Sequence, residues 1–97
     1  MQESSQRIIE IIRSIPKGHV LSYGEVARRA GFGNGARGVS RILHSASDKH
    51  NLPWHRVVNS QGKISLKGDA YKLQRILLQN EGIKFGPADT IDLAKYA

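Results

Sequence analysis

The chain has 97 residues, a net charge of +7 and no cysteine. That length suits one domain, burying roughly 60–65% of the unfolded surface, and the missing cysteine excludes disulfides, thiolate zinc sites and a cysteine nucleophile. No apolar run approaches the roughly 20 residues of a membrane span and no signal-peptide core opens the chain, so the expectation is a cytoplasmic protein, nucleoid-associated if prokaryotic.

The charge is concentrated. Between Lys17 and Lys67 lie nine basic residues (Lys17, Arg28, Arg29, Arg37, Arg41, Lys49, Arg56, Lys63, Lys67) and two acidic ones (Glu25, Asp48), while the remainder is balanced. A basic middle predicts a polyanionic partner, most simply nucleic acid, with a merely solvated basic surface as the bland alternative.

In chain order, Ile8, Ile9, Ile11, Ile12 and Ile15 carry the spacing of an amphipathic helix over Ser4 to Ile15, stopped by Pro16-Lys17-Gly18. His19-Val20-Leu21 reads as an extended link. Ser22 with Glu25 three positions on forms a capping box for a short helix through Ala30, with Gly31 as its stop. After the turn Phe32-Gly33-Asn34-Gly35, a third helix is expected from about Ala36 to Ala46. Ala36, Val39, Leu43 and Ala46 fall on one side of it, and Arg37, Arg41 and His44 form a basic stripe on the other. Two helices joined by a short glycine turn, the second basic, is the helix-turn-helix pattern, although short helical hairpins without DNA function share it.

Leu52-Pro53-Trp54-His55-Arg56-Val57-Val58 follows a polar loop and holds the only tryptophan. Proline imposes a rigid bend there, and Arg56-Val57-Val58 looks like a strand start. A polar triplet on a fixed bend suits a site, while a lone Trp equally suits a core. Asn59-Ser60-Gln61-Gly62 supplies turn residues and Lys63-Ile64-Ser65-Leu66 alternates as a returning strand, together a small β hairpin resembling the wing of a winged helix. Asp69 then caps a last helix to Asn80, with Leu73, Ile76, Leu77 and Tyr71 as its buried face and Gly82 as its end. A core over about 5–85 and an irregular tail over 86–97, with a turn or two between Thr90 and Tyr96, complete a mainly α, winged-helix expectation for residues 1–97. His19, His44 and His50 lack metal-site spacing, so no metal or cofactor is expected.

Pro53-Trp54-His55-Arg56-Val57 resembles the Pro-Cys-His-Arg-Val active-site motif of O6-alkylguanine-DNA alkyltransferases, with tryptophan at the reactive cysteine. Val20 to Ala27 resembles that family's helix entry, Ala36-Arg37-Gly38-Val39 the start of its recognition helix, and Asn80-Glu81-Gly82 the segment bearing its active-site glutamate. The motifs occur in the family's order and spacing over about Ile8 to Phe85. The resemblance covers only the family's DNA-binding part, so a single domain without the family's separate N-terminal domain is expected. Tryptophan in the motif resembles the alkyltransferase-like proteins, which bind alkylated DNA without repairing it.

The resemblance implies a fold like the C-terminal domain of those enzymes and a set of residue roles. Ser22, Tyr23, Ala36, Arg37, Gly38 and Arg41 would contact DNA, with Arg37 filling the gap left by an extruded base and Tyr23 crowding the adjoining phosphate. Tyr23, Pro53, Trp54, Arg56, Val57, Val58, Lys67 and Gly68 would form the lesion pocket. Val57 and Val58 would offer backbone groups and Lys67 would lie over the base. Ala46 stands where the repair enzymes carry an asparagine, and Lys67 and Gly68 replace a tyrosine and a serine, which implies a roomier pocket. His55 and Glu81 would be a vestigial base and its orienter, since an indole N–H donates only and offers no nucleophilic lone pair. The implied partners are duplex DNA bearing O6-alkylguanine and nucleotide excision repair proteins, bound by a monomer. A sequence-specific winged-helix regulator, or an enzyme using His55 and Glu81 for other chemistry, remain alternatives.

Overall fold

The structure is a computed structural model that describes residues 3–31 and 35–97, apart from the side chains of residues 3–5, 36 and 45–50. Its elements run α1 (Glu3–Ser14), β1 (Leu21–Ser22), α2 (Tyr23–Arg29), α3 (Ala36–His50), a 3-10 turn (Trp54–Arg56), β2 (Val57–Val58), α4 (Gly68–Asn80), a 3-10 turn (Pro87–Asp89) and α5 (Leu93–Tyr96). The expected turn at Phe32, Gly33 and Asn34, and the side chains of Ala36 and Ala46, lie outside the described residues.

Helix α1 buries the isoleucine stripe that its spacing dictates: Ile8, Ile9, Ile12 and the following Ile15 join the core, and Ile11 packs at its edge. Helix α2 starts at Ser22, whose hydroxyl accepts from the Glu25 N–H at 3.0 Å. Only half of the expected capping box forms. The Glu25 carboxylate turns instead to Arg28 and Arg29, whose hydrogen bonds hold its pKa below the usual carboxylate range. Gly31, at φ +90°, takes the left-handed stop after α2. Helix α3 then packs against α2, with Val39 and Leu43 inward. It reaches four residues further than expected, to His50, because polar residues do not break a helix. Its stop is Asn51, in the left-handed region at φ 52°.

The β structure departs from the hairpin expectation. Val57–Val58 pairs with Leu21–Ser22, in parallel, Leu21 opposite Val57 and Ser22 opposite Val58. Lys63-Ile64-Ser65-Leu66 forms no strand. Asn59 explains this: its Oδ1 accepts from the Gln61 and Lys63 N–H groups, and its own N–H donates to Lys63 O, so the chain is coiled into a tight turn. Alternation across the small sheet separates two cores. Leu21 and Val57 face α1, α2 and α3, whereas Val20 and Val58 face Ile64, Leu78, Ile83 and Ile91.

The stretch over 86–97, expected to be irregular, is part of that second core through the 2% exposed Ile91. Gly62 makes its docking possible: at φ +79° its O accepts from Ile91 N–H at 2.8 Å, and a Cβ there would sit 2.2 Å from the Ile91 carbonyl oxygen. Asp89 anchors the same stretch through Tyr71 and Arg75.

The buried face of α4 also differs. Leu73 and Ile76 are half exposed, and Gln74 and Leu78, with Tyr71 beside them, point inward. The helix has two rows at helical spacing, and the row containing a glutamine is the buried one. Asp69 sits in the first turn rather than at the cap, which is Lys67. Gly82, at φ +88°, ends the helix region as expected.

Candidate functional site

The site is built around the bend after α3. Pro53, at φ −76° and ψ 65°, is the centre of an inverse γ-turn, in which Trp54 N–H donates to Leu52 O at 2.8 Å. Arg56 N–H to Pro53 O and Val57 N–H to Trp54 O then close the 3-10 turn that carries Trp54, His55 and Arg56. Two further carbonyls, those of His55 and Val57, accept from the Gln74 amide at 3.1 Å each. Proline thus sets the bend locally, and α4 secures it from the side.

Behind the bend lies an ion network. Arg56 grips Glu81 with Nε at 3.0 Å and Nη2 at 2.8 Å, and its Nη1 donates to Ile15 O at 2.9 Å. His55 Nε2 lies 2.7 Å from Glu81 Oε2, and Gly18 N–H donates to Oε1 at 3.2 Å. The Glu81 side chain is 9% exposed. Burial works to raise its pKa, but the hydrogen bonds from Arg56, His55 and Gly18 prevail and hold it at about 2. An ionised Glu81 makes His55 Nε2 the donor in this contact. The indole of Trp54 stands edge-on to that ring, centroids 6.1 Å apart and planes at 83°. Glu81 therefore joins the loop after α1, the 52–58 bend and the end of α4.

In front of the bend is a cavity of about 420 Å³ lined by Tyr23, Ser40, Leu43, His44, Trp54, Leu66, Leu73 and Gln74. Its size falls within the roughly 300–1,000 Å³ of small-ligand pockets. Of the residues expected in a lesion pocket, Tyr23 and Trp54 are on this wall. Val57 and Val58 are not: both are fully buried in the two cores. Arg56 faces the opposite way, onto Glu81, because the buried carboxylate claims its guanidinium. Pro53 is half-buried at the bend, and Lys67 and Gly68 are exposed at the start of α4, off the wall. Ser40, Leu43, His44, Leu66, Leu73 and Gln74 complete the lining without having been expected there. The 3.6-residue period could have placed Ser40 and His44 beside Arg37 and Arg41, but the α4 and 63–66 contributions depend on the tertiary arrangement. Tyr23 Oη also lies 3.4 Å from Ser65 Oγ, spanning from α2 to the 63–66 segment.

The expected DNA face is continuous with this cavity. Arg37 and Arg41 are exposed on α3, in the stripe that runs to His44 at the cavity wall, and Gly38 is partly covered between them. Ser22 and Tyr23 stand at the start of α2, partly buried. Only the backbone of Ala36 is described, in the first turn of α3. Among the described residues, no cluster of three or more His, Cys, Asp or Glu could hold a metal ion, and no helix is long and apolar enough to cross a membrane.

A helix-turn-helix with a basic second helix, flanked by a cavity whose rear wall is a tryptophan bend, defines the class: a helix-turn-helix DNA-binding domain. Residues 3–83 match the family model described as 6-O-methylguanine DNA methyltransferase, DNA binding domain, and the chain belongs to that family. It is 44% identical over 96 residues to the DNA base-flipping protein of Vibrio parahaemolyticus, covering 99% of this chain and 96% of that one. It is 43% identical over 91 residues to the DNA base-flipping protein of Escherichia coli, covering 94% of this chain and 70% of the relative. The structure superposes with a TM-score of 0.85 on S. pombe Atl1 in complex with damaged DNA containing O6-carboxymethylguanine, at 30% identity over 99% of this chain and 94% of Atl1. The mainly helical, helix-turn-helix fold class is thus shared with S. pombe Atl1.

Proposed function

We propose that this chain binds duplex DNA containing O6-alkylguanine, turns the damaged nucleotide out of the stack into the Tyr23–Trp54 cavity, and holds it without removing the alkyl group. The observation that carries this reading is Trp54 on the cavity wall, one residue after Pro53 and beside His55, in a chain with no cysteine. Dealkylation requires a soft nucleophile to attack the carbon on guanine O6, usually a thiolate made by a neighbouring base. His55 and Glu81 retain base-and-orienter geometry, yet the indole offers nothing to activate. Their network instead stiffens the bend.

Recognition survives that loss. Extrusion of a base costs a few kcal/mol, less where pairing is already weakened by damage. Arg37 would fill the vacated stack and Tyr23 would press on the adjoining phosphate, while the apolar face of Trp54, with Leu66 and Leu73, suits an alkyl group. Arg41 and the α2 entry at Ser22, Ala36 and Gly38 on α3 would hold the backbone. Lys67 and Gly68, outside the wall in the free protein, would reach the base only if the 63–68 segment closes over it. The base-flipping names of the relatives and the damaged DNA held by Atl1 support the same reading. Because the lesion is left in place, a second pathway must act on it, and proteins of nucleotide excision repair are the proposed recipients, met by an intracellular monomer.

A sequence-specific regulator would use the same basic helix, but a helix reading a groove has no use for a cavity of about 420 Å³ beside it. The test is binding to matched duplexes carrying guanine or O6-methylguanine, followed by the intact mass of the protein. Preference for the lesion in several sequence contexts with unchanged mass is expected. Equal affinity for the two duplexes, or a mass gain of one methyl group, overturns the proposal.

A further inference from the structure

Among the described residues Gln74 is the most deeply buried polar one, at 2% exposure. It lies on α4, half a turn away from the exposed Leu73 and Ile76, in a place where a leucine would ordinarily fill the core. Both hydrogens of its amide are used, one on His55 O and one on Val57 O, each at 3.1 Å. Those carbonyls flank Arg56 and finish the 3-10 turn that begins with Trp54. Three-residue turns of this kind have poor internal hydrogen-bond geometry and hold their shape through their surroundings. The same Gln74 side chain lines the cavity beside Trp54.

We infer that Gln74 is a positioning residue for damage discrimination: by donating both amide hydrogens, one to His55 O inside the Trp54–Arg56 turn and one to Val57 O just after it, it fixes the indole as the cavity wall against which the alkyl group is read. The inference rests on the lesion-binding reading of the cavity. Phosphate contacts such as those proposed for Arg41 are blind to base damage, and an Arg37 that fills the vacated stack does not touch the alkyl group, so neither reads the adduct itself. Discrimination must come from the wall that meets the added alkyl group, and a wall that shifts loses that contact first. A double donor is the property required. Methionine fills the same volume with no donor, asparagine keeps the amide but falls a methylene short of spanning both carbonyls, and lysine supplies several donors from a longer stem.

The test uses the full chain, fluorescein-labelled duplexes with guanine or O6-methylguanine, and the intrinsic fluorescence of Trp54, the single tryptophan. Gln74→Met and Gln74→Asn are expected to bind the undamaged duplex within about twofold of wild type and the damaged one about tenfold more weakly. Their free proteins should show greater acrylamide quenching of Trp54. Gln74→Lys should restore the preference to within about threefold. The proposal is overturned if Gln74→Met and Gln74→Asn keep the wild-type preference, if both duplexes lose affinity equally, or if Gln74→Lys behaves like methionine. Should methionine fail to fold, asparagine and lysine decide alone. A wild-type protein with no preference overturns the lesion reading and this inference together, whereas preference in wild type that persists in the variants overturns only the role of Gln74.

Discussion

Replacing Glu81 by glutamine should destabilise the protein by about 2–3 kcal/mol at neutral pH. The carboxylate receives three hydrogen bonds from Arg56, one of them the second branch of a shared Nε–H, one from His55 and one from the Gly18 N–H, at a side-chain exposure of 9%. Its pKa falls from 4.5 to about 2, and at about 1.4 kcal/mol per unit this corresponds to about 3.5 kcal/mol before screening by the solvent that reaches the site. Glutamine also replaces one of the two acceptor oxygens that Arg56 uses with an NH2 donor and removes the charge that balances this guanidinium, which is 17% exposed. For a domain of this size the melting temperature should fall by about 10–20 °C. The pH dependence carries the sign. Glu81 is more acidic folded than unfolded, so its contribution is complete above about pH 4.5 and disappears as pH falls to about 2. Urea titrations followed by Trp54 fluorescence should therefore show the wild-type and Glu81→Gln curves converging across that window. A variant within about 0.5 kcal/mol of wild type at neutral pH, or a gap that stays constant down to about pH 2, would refute the electrostatic account.

Gly62→Ala drives a Cβ to 2.2 Å from the Ile91 oxygen, so a loss of about 2–4 kcal/mol in urea and faster tryptic cleavage at Lys84 are expected; wild-type protection would remove Gly62 as the anchor of the C-terminal stretch. Leu78→Ala should cost about 2–5 kcal/mol, whereas Ile76→Ala, at 53% exposure, should stay within about 0.5; the reverse order would mean that α4 is rotated. Trp54→Ala should weaken binding to an O6-methylguanine duplex by about tenfold with little effect on undamaged DNA, and unchanged affinity rules out the indole wall. Arg37→Ala should weaken lesion binding by about 1–3 kcal/mol and lower the salt slope by about one; a slope change without a preferential loss on damaged DNA would reduce Arg37 to a phosphate contact.

Local chemistry made much of this protein readable in one dimension. The isoleucine stripe of α1, the Ser22 cap, the Gly31 and Gly82 stops and the basic stripe of α3 each depend on neighbours within a few residues, and each appears where periodicity and turn chemistry put it. The motif around Trp54 and its distant partner Glu81 were legible through family resemblance, which carries long-range order that spacing does not. The errors share a cause. Whether Val57–Val58 pairs with the residues after it or with Leu21–Ser22 depends on which backbone arrives alongside, and Asn59 coils the nearer candidate away. Two rows of α4 were apolar enough to bury, and the choice fell on the row with Gln74 because two otherwise unsatisfied carbonyls of the bend required a double donor. Composition, the Ser22 cap, and a single tryptophan in a chain with no cysteine were thus determined by the sequence alone. The parallel pairing, the docking of the last dozen residues through Gly62 and the wall of the cavity were decided only by tertiary structure, because each depends on hydrogen-bonding groups that meet across long stretches of chain.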